Sequence, residues 1–292
     1  MAFPAGLCAI KTRLSVSNNA AATTKTNGPF ALRGMISPSW HDIWPFWAKM
    51  PMLRKMKTES VPQTSSITTR WWWIRHAPVI NPDGTIYGAM DLPCHTDMVD
   101  EFAHLAESLP ITPHWLISPL QRTQQTADAI LNSPHGARHG KPELRVIPEL
   151  IEQSHGKWET YSWNDYYAAR GDRPRHPFWA ADADEEIEGG ESYYAASARA
   201  HRAIDALTQE YQGHDIVMVG HGGIIRSAVA HALGLSPERA LTFQILNLSL
   251  TRIDYRIEAD GRQFSRVITL NRTLGPPPMS YDQRYAPKTE KV

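Results

Sequence analysis

Cysteine is scarce in this chain of 292 residues, with only Cys8 and Cys94 present. Two thiols cannot build a disulfide framework or a thiolate metal site, so a reducing compartment is the default and the cytoplasm the expected location. Net charge is absent too, since 30 Lys and Arg balance 30 Asp and Glu. No overall electrostatic pull toward nucleic acid or an anionic membrane follows, and no nucleic-acid partner is expected. No window approaches the roughly 20 consecutive apolar residues that a membrane span requires. The stretch SWHDIWPFWAKMPML, 39–53, is rich in tryptophan but short and broken by proline; it reads as a loosely packed arm. No internal repeat is visible. The remaining composition, 42% hydrophobic, is that of a globular protein with a real core.

Three regions are expected. Residues 1–67 are rich in Ala, Ser, Thr and Asn, and Asp42 and Glu59 are their sole acidic residues. That composition resembles an organelle targeting segment, but an unstructured extension or an early start codon fits as well, with Met35, Met50 and Met56 as alternative starts. From residue 68 to 275 strand and helix patterns alternate, which makes this the expected catalytic domain. Apolar runs at 71–74, 115–117 and 216–219 read as buried strands, and amphipathic patterns at 97–109, 120–131, 192–211 and 223–233 read as helices. Such alternation predicts an α/β class: a three-layer α/β/α sandwich with a mostly parallel sheet. LSLTRIDYRIE and FSRVITLN, flanking Ala259-Asp260-Gly261, predict an antiparallel hairpin at its edge. The polar 276–292 reads as a disordered tail.

Folds of this class place their sites beyond the carboxyl ends of the strands. The run 71–74 ends in Arg75-His76, and 115–117 leads into SPLQRTQQTA, which puts Arg122 in the first turn of a helix. An apolar run at 146–150 precedes Glu152, and 216–219 leads into GHGGIIR with His221. Four strand ends thus supply two histidines, two arginines and a glutamate, and Gly222 and Gly223 allow a helix N-terminus to approach an anion closely. Within these segments Ser118 is expected to cap the helix starting at Pro119. Glu159 is expected to close a turn or cap a helix near Tyr161. In GGES, 189–192, Glu191 or Ser192 is expected to cap the following helix.

Arg-His at a strand end, SPLxRTxQTA, GxWE, GGES and GHGG, in that order, resemble the histidine phosphatase superfamily, the phosphoglycerate-mutase-like phosphatases. The resemblance spans about residues 70–274. It implies His76 as the phosphoryl-accepting nucleophile, Arg75, Arg122 and His221 around the phosphate oxygens, and Glu152 as proton donor. His221 counts with His76 and Glu152 among the catalytic residues. Physical chemistry agrees with each role: phosphoryl transfer needs positioning and charge stabilisation, guanidinium matches phosphate bidentately, and imidazole is basic near neutrality. With two arginines supplying charge, neither a metal nor a cofactor is expected.

Several positions depart from the family pattern. Ala77 and Pro78 follow Arg-His, Thr85 and Ile86 stand where an arginine is common, and His155 and Thr160 flank GKWE. Asn81 and His155 are the candidate substrate contacts. The segment 163–189, too long for a simple connection, is expected to lie over the site as a lid, with Arg170, Arg173 and Arg175 as further candidates; its acidic run 182–188 reads as a solvated face. The expected reaction is hydrolysis of a small-molecule phosphomonoester through phosphohistidine, the small-molecule partner being favoured by that long insertion. A phosphoglycerate-type mutase, a non-catalytic phospho-ligand-binding domain and a homodimer are left open.

Overall fold

The computed structural model describes residues 66–81, 83–172 and 181–273. The extension, apart from its last two residues, and the tail lie outside the described residues, as do Arg173 and Arg175. Among the described residues six strands form one sheet: β1 (Ile67–Arg75), β2 (His114–Ile117), β3 (Leu144–Val146), β4 (Asp215–Gly220), β5 (Leu250–Ile257) and β6 (Gln263–Arg272). Their spatial order is β3-β2-β4-β1-β5-β6, with β3, β2, β4 and β1 parallel and β5 and β6 antiparallel. The expected three-layer sandwich with an antiparallel edge is therefore the observed architecture.

Tryptophan makes β1 the keel of the sheet. Trp71 and Trp73 point to the same face, as the two-residue period demands, and stack with ring centroids 4.8 Å apart. Both are fully buried, and Trp71 Nε1 donates to Thr208 Oγ1 at 2.9 Å. At about 25 cal/mol per Å², burying 150–250 Å² per ring contributes roughly 4–6 kcal/mol each before ordering entropy is subtracted. They sit in the core formed with α4 (Tyr193–Glu210) and α5 (Gly222–Leu233), which contribute Ala200, Ile204, Ile225 and Val229. Trp72 faces the other side, against the core that α1 (Val99–Ser108) and α2 (Gln121–Leu131) build from Phe102, Leu105, Ala127 and Ile130.

The helix after β1 thus covers one face and the helix after β4 the other. β1 and β4 are neighbours, so a switch point opens between their carboxyl ends, where a parallel sheet leaves a crevice. Two short helices complete the described fold, α3 (Trp163–Ala169) and α6 (Pro237–Ala240). α3 begins with a reciprocal capping box between Ser162 and Asp165. Among the described residues no helix is long and apolar enough to cross a membrane.

Two expectations need correction. The run 146–150 is not a strand: β3 ends at Val146, and Pro148–Leu150 form a single 3-10 turn. Proline lacks the N–H a ladder needs but fits the first position of a helical turn. The acidic run 182–188 is not uniformly solvated. Ala183 and Ile187 are buried, while Asp182 and Glu185 pair with Arg170 at 2.6 and 3.2 Å. Arg170 is thereby engaged within the 163–189 segment.

Candidate active site

Strand register assembles the site. Arg75 lies opposite Gly220 across β1 and β4, and Ile117 lies opposite Val219 across β2 and β4. The residues just beyond, His76, Ser118 and His221, therefore emerge side by side at the switch point. His76 N donates to Gly220 O at 2.9 Å, and the His76 and His221 rings stand 5.3 Å apart between centroids. Both rings are essentially inaccessible, at 1% and 0% exposure.

The tautomer of His76 follows from its neighbour. Nδ1 lies 2.7 Å from the Ala77 carbonyl oxygen, which can only accept. The proton is therefore on Nδ1, and Nε2 keeps its lone pair. Burial holds the His76 pKa well below the usual 6.5, reinforced by the charges of Arg75 and Arg122. A neutral ring with a free Nε2 is the form a nucleophile requires. The strand end is also pinned from the far side, where Asn247 Nδ2 donates to the His76 carbonyl at 2.8 Å.

His221 is depressed in the same direction, first by burial and then by His76, Arg122, Arg75 and Arg199. Its Nε2 lies 2.6 Å from Ser118 Oγ, which also accepts from Leu120 N at 3.2 Å. Ser118 Oγ–H can donate to Nε2, which would put the imidazole proton on Nδ1, a buried atom with no hydrogen-bond partner among the described residues. Ser118 is not the helix cap expected from the sequence. The helix starts later, at Gln121, and Ser118 is instead the group that sets the second histidine.

The arginines are held by carbonyl oxygens. Arg122, at 0% exposure, donates from Nη1 to Met90 O at 2.6 Å and from Nη2 to Gly88 O at 2.8 Å. Arg75 Nη1 donates to Ile245 O at 2.7 Å. Nε of each guanidinium is buried without a partner among the described residues. Gly222 keeps the helix start close: a Cβ there would fall 3.3 Å from Arg75 Nε. Glu152 reaches the same helix start, its Oε2 accepting from Gly223 N at 3.1 Å and its Oε1 from Gln153 N at 3.1 Å.

His221, Arg75 and Glu152 thus meet at one helix N-terminus, with His76 beside His221 and the charge of Arg122 acting on both histidines. The two candidate substrate contacts are placed differently. Asn81 turns its amide onto its own loop, donating to Thr85 O at 2.8 Å and accepting from Thr85 N at 3.3 Å. His155 lies against Gly88, with Cδ2 3.0 Å from where a Cβ would stand, and meets Trp163 edge-on at 5.8 Å. Burial lowers its pKa, opposed by Glu152, Glu159 and Glu185. Glu159 closes turns, as expected, its Oε1 accepting from Ala89 N and His155 N at 3.0 Å each. Ser192 caps α4, and Glu191 pairs with Arg199 instead. Sequence reasoning missed Tyr87, whose ring lies 5.4 Å from the Arg122 guanidinium, and Asn247. Neither belongs to a repeated spacing that would single it out.

Residues 71–267 match the family model described as histidine phosphatase superfamily, branch 1. The chain belongs to that superfamily. It is 27% identical over 211 residues to an adenosylcobalamin/α-ribazole phosphatase of Escherichia coli, covering 70% of this chain and 98% of the relative. A Yersinia enterocolitica protein bearing a phosphoglycerate mutase name is 29% identical over 195 residues, or 63% of this chain and 83% of its own. Among solved structures, the α-ribazole phosphatase from Shigella flexneri aligns with a TM-score of 0.56 at 25% identity, covering 72% of this chain and all of that one. In this histidine phosphatase superfamily member, all five residues carried over by motif lie within the matched span.

Proposed function

We propose that this superfamily member is a phosphatase that hydrolyses a small-molecule phosphomonoester, without a metal, through a phosphohistidine on His76. The observation that carries this reading is a set of three buried nitrogens without partners among the described residues, Arg75 Nε, Arg122 Nε and His221 Nδ1, together with the free Nε2 of His76. Buried donors left unpaired are costly and call for an acceptor. A phosphoryl group offers several anionic oxygens, and guanidinium answers them with charge-assisted bonds. The phosphatase name of the Escherichia coli relative supports the same class of reaction.

In the proposed reaction His76 Nε2 attacks phosphorus as the ester P–O bond breaks. The Glu152 carboxyl gives its proton to the departing oxygen. Water then attacks phosphohistidine, the Glu152 carboxylate takes the proton, the P–N bond breaks and phosphate leaves. Arg75, Arg122 and His221 hold the transferring oxygens, which is where phosphoryl transfer needs charge.

Release of phosphate from p-nitrophenyl phosphate in the presence of chelator tests the reading in wild type and His76→Ala. Chelator-resistant release that vanishes in the variant is the expected result. A variant as active as wild type would show that His76 is not the nucleophile, and an inert wild type would favour a phospho-ligand-binding role. The mutase reading is favoured by the name of the Yersinia relative. It is distinguished by isomer exchange between 2- and 3-phosphoglycerate without net phosphate release.

A further inference from the structure

Glu152 is carried by a stretch of chain that has no ladder of its own. Residues 151–155 belong to no helix or strand, so their backbone groups need partners from elsewhere. Several of those partners come from one ion pair. Arg199, on α4, meets Glu191 in a fork, Nη2 to Oε1 at 2.6 Å and Nε to Oε2 at 3.1 Å. The same guanidinium donates from Nη1 to Glu149 O at 2.6 Å and from Nη2 to Glu152 O at 3.2 Å. Glu191 completes the clasp: its Oε1 accepts from Ser154 N at 3.4 Å, its backbone N donates to Ser154 O at 3.2 Å, and its carbonyl accepts from Gln153 Nε2 at 3.0 Å.

We infer that the Arg199–Glu191 pair is a positioning device for the Glu152 carboxyl, and that it thereby sets how well the enzyme releases alcohols that leave only when protonated. The inference rests on the phosphatase reading and deepens it. Among the described residues the Glu152 side chain is bound by two backbone N–H groups, those of Gln153 and Gly223. Its reach toward the scissile oxygen therefore depends on where its own backbone is held. Arg199 grips that backbone from both ends of the turn, at Glu149 and Glu152, while the bidentate bond to Glu191 fixes the plane of the guanidinium. Both side chains are mostly buried, at 17% and 23% exposure, so solvent competes weakly for the fork. Lysine cannot substitute, because one ammonium lacks the planar fork that binds carboxylate and two carbonyls at once.

A group acting through a proton donor has a signature that a merely structural group lacks. p-Nitrophenolate departs without a proton, whereas an alkoxide needs one. The test measures kcat/KM, which covers the steps up to phosphorylation of His76, for p-nitrophenyl phosphate and for an alkyl phosphate such as glycerol 2-phosphate. Wild type, Arg199→Lys and Glu191→Gln are compared, each alone and combined with Glu152→Gln. A general acid contributes on the order of 10²–10⁴ in rate, so misplacing one is expected to cost about 10- to 100-fold on the alkyl ester and much less on the aryl ester. In the Glu152→Gln background the further loss is expected to disappear, as for residues acting through one group.

Equal losses on both esters, or an undiminished loss in the Glu152→Gln background, overturn the inference. If Arg199→Lys does not fold, Glu191→Gln, which keeps shape and loses charge, carries the same comparison. A wild type inert toward both esters removes the phosphatase reading and the inference with it. An active wild type with uniform or additive losses removes the inference alone.

Discussion

A β-carbon on Gly223 would lie 2.5 Å from Oε1 of Glu152. The helix N-terminus and the carboxyl are therefore in contact with no room between them, and glycine is what permits it. Its backbone N–H holds the other carboxyl oxygen, so a single residue supplies both the space and the tether for the proposed proton donor.

Gly223→Ala should separate activity from stability. The group displaced is the tip of a flexible side chain, and alanine is favoured over glycine in a helix by roughly 0.5–1 kcal/mol. The expected variant melts at or above the wild-type temperature while alkyl phosphate hydrolysis falls by about 10- to 100-fold, within the range a general acid supplies. A melting curve and kcat/KM on one preparation decide it; unchanged hydrolysis would contradict the placement of Glu152.

Acid stability should report on the buried imidazoles. His76 and His221 are held well below 6.5 in the folded chain. On acidification the unfolded state takes up protons first, so stability is fully present above about pH 6.5 and falls with pH down to the folded values. Each unit of separation is worth about 1.4 kcal/mol. His114, His155 and His201 are lowered in the same direction, so the comparison that isolates His76 is wild type against His76→Gln. Urea midpoints across pH 5 to 7 should show a shallower slope in the variant. Parallel slopes would mean that His76 is not held neutral by the fold.

Arg122→Lys should weaken both binding and fold. One ammonium cannot reach Gly88 O, Met90 O and a phosphate together, and a lost bond between charged and buried groups costs about 1.5–3 kcal/mol. Loss of that much transition-state binding corresponds to roughly 10- to 100-fold in kcat/KM. Inorganic phosphate should also inhibit the variant less. Undiminished product inhibition would remove Arg122 from the phosphate cradle.

Ser118→Ala tests the second histidine. It leaves His221 Nε2 without its 2.6 Å partner inside the core, a loss of about 1–3 kcal/mol in stability. It also removes the hydroxyl that fixes how the ring proton is shared between Nε2 and Nδ1. The expected fall in kcat/KM is about tenfold, near 1.4 kcal/mol. Ser118→Thr keeps the hydroxyl and should restore activity; equal losses in both variants would point to packing instead of the hydrogen bond.

Much of this was legible in the chain. The predicted helix at 192–211 is Tyr193–Glu210 in the structure, and that at 223–233 is Gly222–Leu233. The hairpin around Ala259-Asp260-Gly261 joins β5 and β6 as expected. These elements carry strong periodic patterns, and local chemistry sets their ends. The apolar run 146–150 is broken by Pro148, and there a proline-led turn stands in place of the expected strand. Asn81, a candidate substrate contact, hydrogen-bonds Thr85 within its own loop, because the conformation of a short loop is decided by its own hydrogen bonds.

The sequence by itself determined the alternation of strands and helices and delivered Arg75, His76, Arg122, Glu152 and His221 to the ends of its apolar runs. Those are local facts, written in hydrophobic period and in the residues that stop it. Tertiary structure alone decided which nitrogens are buried, that Ser118 serves His221 instead of a helix, and that Arg199 and Glu191 clasp the chain around Glu152. Ser118 and His221 are 103 residues apart, and Arg199 and Glu152 are 47 apart. Contacts over such separations depend on strand order and on how helices pack across the sheet, which the chain settles only as a whole.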